Sequence, residues 1–186
     1  LLSPFTPLIF MGDEWAERRP FLYFTDFDGE LGRAVRDGRR NEFRKWTAFG
    51  DPILREKIPD PNDPATARAS TIDWSNAKQD NPQFALVKSL LKLRTEKLVP
   101  LFRDIRLADA SGRAIGPKAV TVDWRTSGGG TLRLDLNLGE EPCDATSLVD
   151  GAEILFVSSG IAEASVENGL LPPRSLVLSL VPGSNE

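Results

Sequence analysis

Residues 1–26 read LLSPFTPLIFMGDEWAERRPFLYFTD, and the fold is decided there. Leu8, Ile9, Phe10 and Met11 form an unbroken apolar run, entered through Pro4 and Pro7 and closed by Gly12. A run so short, and apolar on both faces, is expected as a strand buried between two layers, the kind found in parallel sheets. It stops at Gly12-Asp13-Glu14-Trp15, where two carboxylates and an indole follow a residue free to take unusual backbone angles. Acid beside aromatic at the C-terminal end of a buried parallel strand is where barrel enzymes carry substrate-contacting loops. A core strand followed by a plain polar turn is the alternative.

Working outward, Arg18-Arg19-Pro20 make a turn, and Phe21-Leu22-Tyr23-Phe24 form a second apolar cluster ending at Thr25-Asp26. Aromatic faces suit the C–H side of a pyranose, and carboxylates accept hydrogen bonds from its hydroxyls. Trp15, Tyr23 and Asp26 are therefore candidate ligand contacts, while Phe21 and Leu22 are expected to pin the loop. Residues 30–46 have apolar positions at Leu31, Ala34, Val35, Phe43 and Trp46, a spacing that predicts an amphipathic helix interrupted near Gly38. Its Arg36, Arg39, Arg40, Arg44 and Lys45 are read as a solvated face with local acidic partners. Pro52, Pro59, Pro61 and Pro64 predict an extended surface excursion over residues 51–66. Trp74 is then an apolar anchor where the chain returns.

Asn81-Pro82 is a helix start, with Asn81 as cap and Pro82 at the first helical position. Phe84, Leu86, Val87, Leu90, Leu91, Leu93 and Leu98 recur at helical spacing, predicting a broad buried face that ends at Pro100. Beyond it the period becomes two. Residues 120–125 and 132–138 alternate about Gly128-Gly129-Gly130, an antiparallel hairpin. Residues 105–107, 154–157 and 175–181 supply further strands, and the set predicts a small β-sandwich. No cluster of aromatics marks this part as a sugar-binding module, so packing against a barrel is its expected role.

Composition limits the chemistry. The chain has 186 residues, 40% of them hydrophobic and 27% charged, with a formal charge of -4. A (β/α)8 barrel takes about 250 residues, so this chain is not a complete one. The negative balance and the lack of a long Lys/Arg run argue against nucleic acid as partner. With one cysteine and no histidine, an intrachain disulfide, a Cys/His zinc site and a histidine-based hydrolase triad are all excluded. No apolar stretch approaches the roughly 20 residues of a membrane helix. The opening lacks a signal-peptide pattern, and a cytoplasmic setting is expected. Starting on Leu1 in mid-hydrophobic sequence reads as a fragment or processed product.

TPLIFMGDEW, PFLYFTDF, AVRDGRRNEF, IPDPNDPAT and STIDW, in that order, resemble the final part of malto-oligosyltrehalose trehalohydrolase, of the α-amylase superfamily of glycoside hydrolases. The similarity covers about residues 1–98. It implies the last strand and helix of a (β/α)8 barrel with a proline-rich excursion over residues 1–100, then a β-sandwich domain over residues 101–186. It also implies a maltooligosaccharide-type substrate; no residue here demands a metal, and no cofactor is expected. Two positions depart from the family pattern: Asp13 stands where Glu is usual, and Phe27 where His often follows Thr-Asp.

Glycoside hydrolysis uses two carboxyl groups about 5 to 9 Å apart across the scissile bond. Asp13 and Glu14 are neighbours, and in extended backbone they point to opposite sides. The resemblance places the nucleophile, the general acid and the third acid on earlier barrel strands, so no catalytic residue is assigned here. Gly12, Asp13, Glu14, Trp15, Tyr23 and Asp26 are the candidate substrate-binding residues, and the chain alone is expected to be inactive. A branching or debranching enzyme and a stand-alone glucan-binding module are the alternatives. The apolar opening is expected to need a further copy, or the missing barrel, beside it.

Overall fold

The computed structural model describes residues 1–46, 51–78, 80–103, 105–144, 151–158 and 169–183. The chain divides into two compact units, Ile9–Val87 on one hand and Leu1–Leu8 with Lys88–Glu186 on the other.

The second unit is built on antiparallel strands β1 (Ile105–Gly116), β2 (Ala119–Thr126), β3 (Thr131–Asn137), β4 (Cys143–Asp144), β5 (Glu153–Val157), β6 (Leu170–Leu171) and β7 (Ser175–Val181). Five form one sheet in the order β1-β2-β3-β7-β5, while β4 and β6 pair as a short ribbon. The expected hairpin is β2–β3, with Trp124 opposite Leu132, Val122 opposite Leu134 and Val120 opposite Leu136. Leu180, Leu178 and Leu176 of β7 continue those three rows. Because side chains alternate across a strand, one face of the sheet is thereby apolar across its three inner strands. Leu132 and Leu178 on it are fully buried.

That face is covered by residues following the helix start. Asn81 Oδ1 accepts from the backbone N–H of Gln83 (2.9 Å) and Phe84 (3.2 Å), and helix α4 runs Pro82–Leu93. Pro100 does not end the helical path. A π-helical turn, Arg94–Leu98, widens the backbone, and Pro100 falls in the first turn of α5, Val99–Phe102, where its missing N–H costs little. Leu90, Leu93, Leu98, Leu101 and Phe102 pack with Leu2 on the sheet. The broad buried face expected of α4 is narrower than its sequence suggests: no residue of Pro82–Leu93 is buried, and Leu86 and Leu91 stay exposed.

The opposite face carries Thr121, Asp135, Asn137, Ser175 and Ser179, all buried. Thr121 Oγ1 donates to Asp135 Oδ1 across the strands, and Arg133 binds Asp123 through two nitrogens (2.6 and 2.8 Å). Asn137 Nδ2 donates to the carbonyls of Glu141, Leu171 and Pro172. These contacts satisfy Thr121, Asn137 and one oxygen of Asp135, groups that would otherwise be costly to bury, while Asp135 Oδ2 and Ser179 Oγ are buried without a partner among the described residues.

In unit Ile9–Val87 the expected strand does not form. Leu8–Met11 is chain without a strand partner, with Phe10 and Met11 exposed and Leu8, just outside the unit, 94% exposed. A strand requires a neighbour to take up its N–H and C=O groups, and among the described residues none is supplied. Three further expectations are corrected. Helix α1, Gly29–Glu42, passes straight through Gly38, since one glycine costs only about 1 kcal/mol against alanine and its flanks are good helix formers. The proline-rich stretch contains helices α2 (Pro52–Glu56) and α3 (Pro64–Ala69), each with Pro at its start and an Asp cap accepting an N–H. Trp74 is 68% exposed, and its one ring contact among the described residues is with Trp15.

Candidate functional site

Gly12 takes φ 98°, and a Cβ there would lie 2.6 Å from Glu17 Cβ. Glycine is thus required both by the backbone angle and by the close approach. Asp13–Trp15 then form one 3-10 turn, not the extended backbone expected. Asp13 Oδ2 accepts from Phe10 N–H (2.9 Å) and Glu14 Oε2 from Gly12 N–H (3.0 Å), so each carboxylate is bent back onto its own loop. Trp15 is buried against Trp74, ring centroids 5.1 Å apart. The four residues make a compact lip whose acids hold its shape, each with one oxygen left to accept from a hydroxyl.

The residue that fixes this lip is Glu17, which the sequence reading passed over. Its Oε1 accepts from Arg18 N–H (2.8 Å) and Arg19 N–H (2.9 Å), and its Oε2 from Asp73 N–H (2.6 Å). The N–H of Arg19, then that of Asp73, hold its carboxyl below the ordinary Glu value. Arg19 completes the tie through Thr71 O (3.0 Å) and Asp73 Oδ2 (3.4 Å). Asn62 plays the same part for the next loop: it accepts from Thr25 Oγ1 and Phe27 N–H and donates to Gly32 O (2.9 Å). No local sequence signal marks either residue, because the partners that tie each to another segment, Asp73 for Glu17 and Gly32 for Asn62, lie 30 or more positions away.

Tyr23 does not join the lip residues in a common contact. It lines a cavity of about 300 Å³ with Phe21, Arg39, Phe43 and Lys57. The Arg39 guanidinium lies over the Tyr23 ring (5.4 Å) and the Phe43 ring (4.4 Å) and is bound to Glu42 (2.7 Å). Arg39 has the local acidic partner expected of it, Glu42, and its guanidinium also lies over two rings. Asp26 is exposed on the loop that Asn62 secures. Among the described residues no group of three or more His, Cys, Asp and Glu side chains is placed to hold a metal, and no helix is long and apolar enough to cross a membrane.

Residues 108–178 match the family model described as "Domain of unknown function (DUF3459)". A crystal structure described as "Putative alpha Amylase from Salmonella typhimurium" superposes on 97% of this chain, with a TM-score of 0.82 and 36% identity. The chain covers 29% of that protein. The malto-oligosyltrehalose trehalohydrolase of Arthrobacter ramosus is 39% identical over 67% of this chain, and that of Rhizobium sp. is 32% identical over 94%. The chain is thus similar to part of an α-amylase-family glycoside hydrolase. Within that class its particular resemblance is to the C-terminal part of malto-oligosyltrehalose trehalohydrolase, as the ordered blocks of residues 1–98 imply. It spans 22% of the Arthrobacter enzyme and 28% of the Rhizobium enzyme.

Proposed function

We propose that this chain is the C-terminal portion of an enzyme that, when intact, hydrolyses the α-1,4-glucosidic bond next to the terminal trehalose of maltooligosyltrehalose and releases trehalose. The observation that carries the reading is the likeness to the Rhizobium trehalohydrolase along 94% of the chain. In this reading Leu8–Met11 is the last strand of a (β/α)8 barrel. The bare apolar side chains of that segment are what such a strand presents when its neighbours are not beside it. Residues 1–100 complete the barrel, and residues 101–186 form a β-sandwich domain packed against it. A cytoplasmic setting belongs to the same proposal.

The chemistry assigned to these residues is positional. The lip Gly12–Trp15 and Tyr23 and Asp26 border the substrate cleft, while the carboxyl pair that cleaves the bond comes from the preceding barrel strands. Asp13 and Glu14 serve poorly as that pair, since each is committed to a backbone N–H of its own loop. The chain by itself is therefore inactive.

The test joins the chain to the coding sequence upstream of it and supplies maltooligosyltrehalose to the purified product. Trehalose and a maltooligosaccharide are expected from the joined protein, with neither released by residues 1–186 alone. The likeness to the Salmonella protein favours one second reading, an enzyme acting on ordinary α-glucans. Cleavage of a plain maltooligosaccharide with no trehalose from maltooligosyltrehalose would replace the first reading by this one.

A further inference from the structure

The cavity beside Tyr23 has walls of a kind the lip lacks. Phe21 and Tyr23 are 58% and 49% exposed, a large area of aromatic surface for two neighbouring positions of one loop. Their geometry is nevertheless fixed. Phe21 is held edge-on by Phe10 and Phe24, with centroids 5.0 and 6.0 Å away. Tyr23 and Phe43 share the Arg39 guanidinium, and Phe43 meets Trp46 edge-on at 5.7 Å. A cation lying over both rings, and neutralised by Glu42, ties the two rings to one group and helps to fix their positions. Donors remain at the rim. Arg39 gives one N–H to Glu42, and Lys57 makes no ion pair among the described residues.

We infer that this cavity binds a glucose ring of an α-glucan chain as a subsite separate from the lip, stacked on the aromatic wall with Lys57 donating to a hydroxyl. The inference rests on the reading of the intact protein as an α-glucan enzyme and names residues that reading does not assign: Arg39, Phe43 and Lys57. A pyranose presents an apolar C–H face and a polar rim, which matches flat aromatic walls with a few fixed donors. A compact anion such as phosphate fits worse. It would leave the aromatic surface wet and meet only one uncompensated cation, because the charge of Arg39 is already taken up by Glu42.

Tyr23 is the only tyrosine of the chain, so a ring-labelled tyrosine gives one unambiguous set of NMR signals at the site. Titrating maltotriose into the labelled chain is expected to move those signals saturably, and inorganic phosphate is expected to leave them unmoved. Lys57→Met alters an exposed side chain outside the core and should weaken maltotriose binding about fivefold. Phe43→Ala should abolish the response while leaving the dispersed methyl signals of the β-sheet in place. A Tyr23 ring indifferent to maltotriose in a folded sample, or one that answers to phosphate instead, overturns the inference. Trehalose release by the joined protein with an indifferent Tyr23 ring would sink this subsite and leave the proposed reaction standing. A saturable response without trehalose release would do the reverse.

Discussion

The two units use opposite means of holding together. In the β-rich unit Leu98, Leu132 and Leu178 are fully buried, and apolar side chains from helix and sheet enclose one another. In unit Ile9–Val87, Trp15 and Pro61 are the only apolar side chains in the buried class among the described residues other than glycine. Phe10, Met11, Phe21, Phe24, Trp46 and Trp74 all face outward. What fixes that unit is a set of polar ties: Glu17 to Asp73, Asn62 to Thr25, Phe27 and Gly32, and Ser70 Oγ accepting from Leu22 N–H (3.0 Å). A region can have specific geometry without having its own core. Burial supplies most of the driving force for folding, while hydrogen bonds largely choose among compact arrangements. The polar ties therefore give shape to unit Ile9–Val87, while its aromatic surface stays open.

The largest expected contrast comes from truncating one leucine in each region. Leu132→Ala should cost about 3 kcal/mol in urea unfolding followed by tryptophan fluorescence, the usual scale for emptying a packed site. Leu8→Ala, at a residue 94% exposed, should stay within about 0.5 kcal/mol. Equal costs would erase the distinction. Next in size is Arg94, whose guanidinium gathers the carbonyls of Leu1 (2.5 Å), Ser3 (2.8 Å) and Phe5 (2.7 Å) while lying 5.0 Å over the Phe102 ring. Arg94→Met should cost about 1.5 kcal/mol and make residues 1–8 the first site of proteolysis. Arg94→Lys should recover little, since an ammonium cannot reproduce the fork.

The smallest effect is local and depends on pH. The Glu17 carboxyl is depressed in the folded chain, so the contribution of its ties is fully present above the ordinary Glu range and fades as pH falls through the lowered value. Protection of the Arg19 and Asp73 amides, taken against the intrinsic exchange rate at each pH, should fall on acidification in the native chain. In Glu17→Gln that fall in protection should be absent. If it persists in the variant, Glu17 is not the group that closes the loop.

How much of this could be read from residues follows from the range of each interaction. The β2–β3 hairpin and the Asn81-Pro82 helix start are local patterns, and both stand as expected. The Asp51-Pro52 and Asp63-Pro64 starts carry the same cap-then-proline signal as Asn81-Pro82; counting prolines hid it, because proline ends a helix it enters late but suits one that it begins. The strand expected at Leu8–Met11 rested on a correct reading of apolarity, but apolarity specifies a wish for neighbours and cannot provide them. Glu17, Asn62 and Arg94 were illegible for the opposite reason. Nothing near them in sequence distinguishes them from solvated polar residues, and their importance appears only when distant carbonyls and amides converge on them.

Native-state hydrogen exchange on the chain measures the contrast directly, residue by residue. The amides of Leu132, Leu134, Leu178 and Leu180 should exchange only at the rate set by global unfolding, while those of Leu8, Ile9 and Met11 exchange almost as fast as in an unstructured peptide. Protection of Leu8, Ile9 and Met11 equal to that of the sheet would contradict the account, because the opening segment would then be enclosed by residues of this chain.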